Sequence, residues 1–188
     1  MTRPTEGPGI CILTNPPSYI KEGQNYQLQE NSKPENPLPS KIVILDLSNT
    51  SVDIPADLNL GDREIHRLVS SNGSISQTAT AIMVTVSVEI PVKDLPEFDR
   101  WYEEEHIQML TRIPGWMRSR RFRLFDSVEQ RDDPGGLVQC LAIHEYHETN
   151  GLGGPEHKAS MSTPWREKMR PLLMTGKRGV WNLISDVE

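Results

Sequence analysis

The residues best suited to chemistry lie in one short run, WYEEEHIQML at positions 101–110, where two aromatics and three carboxylates precede a histidine. At 3.6 residues per turn, Phe98, Trp101, Tyr102, His106, Met109 and Ile113 fall along one broad face. Asp99, Arg100, Glu103, Glu104 and Gln108 fall mostly away from it, so Glu103 and Glu104 read as a solvated face. Glu105 sits on the flank. The stripe carries His106 towards the core, one turn after Tyr102. An imidazole there is either a core group bonded to a backbone carbonyl or a general acid or base, with a neighbouring glutamate or tyrosine to fix its tautomer. The next segment, WMRSRRFRLF, alternates. Arg118 and Arg120 share a face with Phe122 and Leu124, and Arg121 and Arg123 share the other with Met117. An arginine facing the space between sheet and helix needs an anion, either Glu105 or a substrate carboxylate or enolate. Solvated arginines on an edge strand would explain the same letters.

The other histidines differ in placement. His144 alternates with Cys140 and Ala142 and so shares their buried face, whereas His147 falls in an exposed turn. His157 begins a helical region after the glycine-rich NGLGGP, where a hinge could form the mouth of a pocket or simply connect two elements. His66 lies in the weakly patterned first half. No HxH or HExxH spacing occurs, so neither a metal nor another cofactor is expected, and GLGGP is not a dinucleotide-binding glycine pattern.

Elements able to position these groups are clearest in the second half. ATAIMVTVSVEI at 79–90 is β-branched and alternating, a strand. A helix comes next over 97–112 and is stopped by Ile113-Pro114-Gly115. Strands are expected at 116–125 and 136–146, with a turn between them, then helical residues through 174 and a closing strand at 179–184. The order β-α-β-β-α-β predicts a ferredoxin-like α+β unit with helices on one sheet face. Its other face needs a cover, from the first half or from a second copy, and a homodimer is expected. In the first half, 10–14 and 41–47 read as strands, 63–71 as a strand or one helical turn, and the polar stretch 15–40 as an irregular loop. A boundary falls near 75, giving units 1–75 and 76–188.

A formal charge of -6, from 20 Lys and Arg against 26 Asp and Glu, argues against nucleic acid as the partner. Cys11 and Cys140 sit in separate apolar runs and read as buried free thiols of a reducing compartment. MTRPTEGPGICILTNPP holds no apolar segment of signal-peptide length, and no window approaches the ~20 apolar residues of a membrane span, so a cytoplasmic protein with no membrane partner is expected.

Residues 98–124, FDRWYEEEHIQMLTRIPGWMRSRRFRL, resemble the EthD-like branch of the dimeric α+β barrel proteins, in particular fungal members with a WYxEEH helix and then PGW and RRF. The resemblance covers about 79–188, including PWREKM and GVWNLI, and makes 1–75 look like a shortened, degenerate first repeat. It implies a cofactor-independent lyase or cyclase acting by proton abstraction, decarboxylation, dehydration or ring closure. The substrate would be a small hydrophobic, aromatic or polyketide-like metabolite of fungal secondary metabolism. The alternative is a ligand-binding or stress-associated dimer without turnover. By the same resemblance His106, Tyr102 and His157 are the catalytic candidates. Trp101, Glu105, Arg121, His144 and Trp165 would contact substrate, and Arg121 or a tyrosine hydroxyl would stabilise an enolate.

Overall fold

The computed structural model describes residues 9–14, 24–31, 38–46, 63–73, 81–124, 136–173 and 176–184. The expected turn at 126–135, the boundary at 75 and much of 15–40 lie outside those residues. Strands β1 (Gly9–Thr14), β2 (Gln24–Asn31), β3 (Lys41–Asp46) and β4 (Arg63–Gly73) come from the first half. The second half supplies β5 (Ile82–Pro91), β6 (Trp116–Leu124), β7 (Leu137–Tyr146) and β8 (Lys177–Leu183). Between β5 and β6 run α1 (Leu95–Trp101), a π-helical turn (Tyr102–His106) and α2 (Ile107–Leu110), and between β7 and β8 lie α3 (Pro155–Ser160) and α4 (Pro164–Leu173).

All strand pairing is antiparallel and closes on itself in the order β1-β3-β2-β8-β5-β7-β6-β4. The fold is therefore a mostly β, eight-stranded closed barrel, which corrects the expected ferredoxin-like α+β unit. Two seams, β2 with β8 and β4 with β6, join strands of the first half to strands of the second. Both edges of the second-half sheet, β8 and β6, are thus paired with first-half strands within one chain. The polar stretch QNYQLQEN is not a loop. It forms β2, because Tyr26 and Leu28 alternate inward while Gln27 and Gln29 are exposed.

An eight-stranded barrel encloses an interior that side chains can fill. Here Ile10, Ile12, Tyr26, Ile42, Ile44, Met83, Phe122, Leu141, Ile143 and Trp181 fill it. Glu145, inside the wall, accepts from Arg118 Nε at 2.5 Å and Nη2 at 2.7 Å, and Arg120 Nε stands 3.4 Å from it. Arg118 and Arg120 thus share a face, as expected, and that face is the barrel interior. The opposite parity of β5 and β7 turns outward: Val84, Val86, Val88 and Ile90 with Val138, Cys140, Ala142, His144 and Tyr146 meet the helices. Among the described residues no helix is long and apolar enough to cross a membrane.

Removing one partner of a buried ion pair strands the other without compensation. Glu145→Ala should therefore lower unfolding free energy by about 3–5 kcal/mol in a urea titration. A loss below about 1 kcal/mol would show that the interior ion cluster does not hold the barrel, since exposed pairs contribute only that much.

Candidate functional site

Phe98, Trp101 and Tyr102 anchor the helix on the barrel wall, and the π turn sets where His106 points. The Ile107 N–H donates to the Tyr102 carbonyl, five residues back. On a regular α-helix residues five apart point about 140° away from each other. The wider turn brings them round, so Trp101 stacks on His106 with ring centroids 4.6 Å apart at 22°. Tyr102 meets the same imidazole edge-on at 5.1 Å. π turns of this kind often mark functional sites. The Pro114-Gly115 turn ends the helix. Gly115 has φ +78°, and a Cβ there would come within 2.6 Å of the Thr149 carbonyl oxygen.

Beneath this helix lies a cavity of about 240 Å³ on the outer wall of the barrel, closed on the far side by α3 and α4. Trp101, Tyr102, His106, His144 and His157 all line it, so five of the eight residues expected at a site come together. Leu110, Val84, Val86, Tyr146, Leu152, Met161 and Leu173 make most of its wall apolar. Arg166, Gly176, Lys177 and Arg178 complete it. Among the described residues that line it there is no Asp or Glu.

Burial first, and that charge balance second, set the protonation states. Burial pushes His106 well below the ordinary imidazole value, and the neighbouring His144, Arg166, His157 and Arg121 push the same way. His144 falls to about 3, first through burial and then through Arg178 and Arg121. His157 is also lowered, by burial and by Arg178 and Arg166. All three are neutral at pH 7. Burial raises Tyr102 to about 12, so its hydroxyl keeps its proton. His106 Nδ1 and His144 Nε2 are buried with no hydrogen-bond partner among the described residues. His157 Nδ1 instead accepts from the Gly153 N–H at 3.1 Å.

Three expected site residues do not reach the cavity. Arg121 is tied to Asp99 and, at 2.9 Å, to Glu103, and its guanidinium lies 4.6 Å from the Tyr102 ring centroid. It faces a separate void of about 10 Å³, room for about one water. Glu103, read as solvated, therefore has structural partners: besides Arg121 it accepts from Ser70 Oγ at 2.6 Å and Asn72 Nδ2 at 3.3 Å on β4. Glu104 is exposed, as expected. Glu105 accepts from Trp101 Nε1 at 3.1 Å and from the Thr163 hydroxyl, while Thr163 Oγ1 accepts from the Arg166 N–H at 3.1 Å. Glu105 thus positions the indole that stacks on His106 and links it to the start of α4. Trp165 clamps the outside of the helices, donating to Glu97 at 3.1 Å beneath the Arg100 guanidinium. Sequence reasoning missed Arg166, Lys177 and Arg178. Only Arg178 carried a readable signal, since it shares the face of β8 with the buried Val180.

No protein-family model and no curated protein matches the sequence. Among solved structures, one described as a major regulator of staphylococcal pathogenesis is similar at 12% identity, over 87% of this chain and 86% of that one, with a TM-score of 0.41. A likeness that distant carries no argument about fold or function.

A histidine held neutral by burial binds fewer protons folded than unfolded once pH drops below the unfolded value of about 6.5. Its stabilisation is full above that value and is lost as pH falls towards the folded one, by about 1.4 kcal/mol per unit for each such group. The melting temperature should therefore fall between about pH 7 and pH 5, above the range of ordinary carboxylates. His144→Gln should flatten that fall, and an unchanged slope would mean that His144 is not buried neutral.

Proposed function

We propose that the cavity binds a small, mostly apolar carbonyl compound and that His106 moves a proton on it, in a lyase or cyclase reaction needing no metal or organic cofactor. The observation that carries this reading is a neutral imidazole, stacked on Trp101 at the wall of a cavity whose charged lining is cationic. His106 would take a proton from a carbon next to the carbonyl. The C–H pair becomes a C=C bond, the carbonyl π pair moves to oxygen, and an enolate faces an imidazolium. Burial alone disfavours that imidazolium, so it becomes stable only as the anion beside it forms. Arg166 and Arg178 supply the positive potential first expected of Arg121. The proton then returns to another atom, or a group leaves.

The compound class, aromatic or polyketide-like and belonging to secondary metabolism, comes from the resemblance of 98–124 to EthD-like proteins. We place the reaction in a reducing cytoplasmic setting, which fits two buried cysteines, Cys11 and Cys140. A second reading is favoured by how far burial depresses His106: a group so reluctant to protonate also suits a site that binds a ligand without turnover.

Exchange of α-hydrogens separates the two. Aryl ketones carrying α-hydrogens are incubated with the protein in D₂O and monitored by proton NMR. The enzyme reading expects exchange that saturates with ketone, lost ~10²- to 10⁴-fold in His106→Gln with melting and binding retained. Tyr102→Phe keeps the ring packing and should lose less. Saturable binding without exchange in the unaltered protein would establish the second reading. Full exchange in folded His106→Gln would remove His106 from the mechanism.

A further inference from the structure

Ser119 and Trp116 lie outside the cavity lining, yet they control its second imidazole. Ser119 on β6 stands directly opposite His144 on β7, and its Oγ lies 2.9 Å from His144 Nδ1. Ser119 is fully buried. Its oxygen also accepts a hydrogen bond from Trp116 Nε1 at 3.0 Å. Residues three apart on a regular strand face opposite sides of the sheet. Here the register shifts between Trp116 and Arg118, and that bulge turns Trp116 to the same outer face as Ser119.

Hydrogen-bond accounting then favours one placement of the protons. The indole N–H can only donate, so it occupies a lone pair of the serine oxygen. Were His144 Nδ1 to donate to the second lone pair, the buried serine hydrogen would find no acceptor among the described residues and Nε2 would be an unmatched acceptor as well, so the less costly arrangement sends that hydrogen to Nδ1. The neutral imidazole carries its single proton on Nε2, the atom buried without a partner on a side chain that lines the cavity. A buried donor left unmatched is costly, and a ligand acceptor removes that cost.

We propose that Trp116 and Ser119 form a relay that holds His144 as an Nε2–H donor to the ligand, and that this donor binds a carbonyl or enolate oxygen. The oxygen assignment rests on proton transfer by His106; the relay does not. Ser119 and Trp116 are positioning residues. His106 takes the proton from carbon, and His144 holds the oxygen on which the electron pair collects. The two rings stand 6.2 Å apart, so one small molecule can touch both.

Long-range proton–nitrogen NMR of the full chain at neutral pH reads the tautomer directly, with His144 assigned by comparison with His144→Gln. The relay expects one tautomer, with the proton on Nε2. Ser119→Ala should release Nδ1 and give a mixture or the other tautomer, and Ser119→Thr, which keeps the hydroxyl, should restore the first. Trp116→Phe is a second, milder variant should burial make Ser119 intolerant of change, and it should broaden the tautomer population without unfolding. A proton on Nδ1 in the unaltered protein, or an Nε2 proton indifferent to both Ser119→Ala and Trp116→Phe, overturns the relay. In the D₂O assay His144→Gln should lose about 10²- to 10³-fold in kcat with KM little changed, the scale of one oxyanion donor. An intact relay with unaltered exchange in folded His144→Gln overturns the oxygen assignment alone. An intact relay in a protein that exchanges nothing counts against proton transfer by His106 and overturns that assignment with it.

Discussion

Burial of imidazoles beside cations, with no Asp or Glu among the described residues that line the cavity, is the constraint on which the rest of the site depends. It disfavours the charged form of His106 and His144 and leaves each with a nitrogen that has no hydrogen-bond partner among the described residues. Such an arrangement is costly for a folded chain and needs support on every side. The π turn provides one support by laying Trp101 flat on His106, and Ser119 provides another by satisfying His144 Nδ1. The cations are held back on α4 and β8, where their field reaches the cavity while their elements stay fixed to the barrel.

Closure of the barrel is what makes this support rigid. Strand β4, from the first half, pairs with β6 and presents Ser70 and Asn72 to Glu103. Glu103 and Asp99 in turn hold Arg121 under the Phe98 and Tyr102 rings. The acidic face of the helix is thus its attachment to the wall. The carboxylates that look most suited to chemistry in the sequence are used to fix the helix, and the uncharged His106 faces the cavity.

Much of the second half was legible because its side chains alternate against a local, apolar neighbour. ATAIMVTVSVEI and GLVQCLAIHEY announce their strands, and the stripe through Trp101, Tyr102 and His106 announces its face. What escaped depends on long-range pairing or on backbone irregularity. QNYQLQEN has only Tyr26 and Leu28 as inward apolar residues, and its pairing with β8 lies far away in sequence. Glu103 reads as solvent-facing until β4 arrives beside it. The stacking of residues 101 and 106, five apart, needs a π turn, and the contact between 116 and 119 needs a bulge; neither leaves a mark in residue type. The expected ferredoxin-like α+β unit was wrong for the same reason, since the first-half strands that close the barrel carry a weak pattern.

The site stands on His106 being a buried neutral imidazole, a state that a side-chain nitrogen NMR titration of that residue reads. Between about pH 8 and pH 5, a range centred on the ordinary imidazole value of about 6.5, its nitrogen shifts should stay those of a neutral ring for as long as the protein remains folded. Half-protonation near pH 6.5 in the folded protein would mean that His106 is solvated, and the site built around it would not stand.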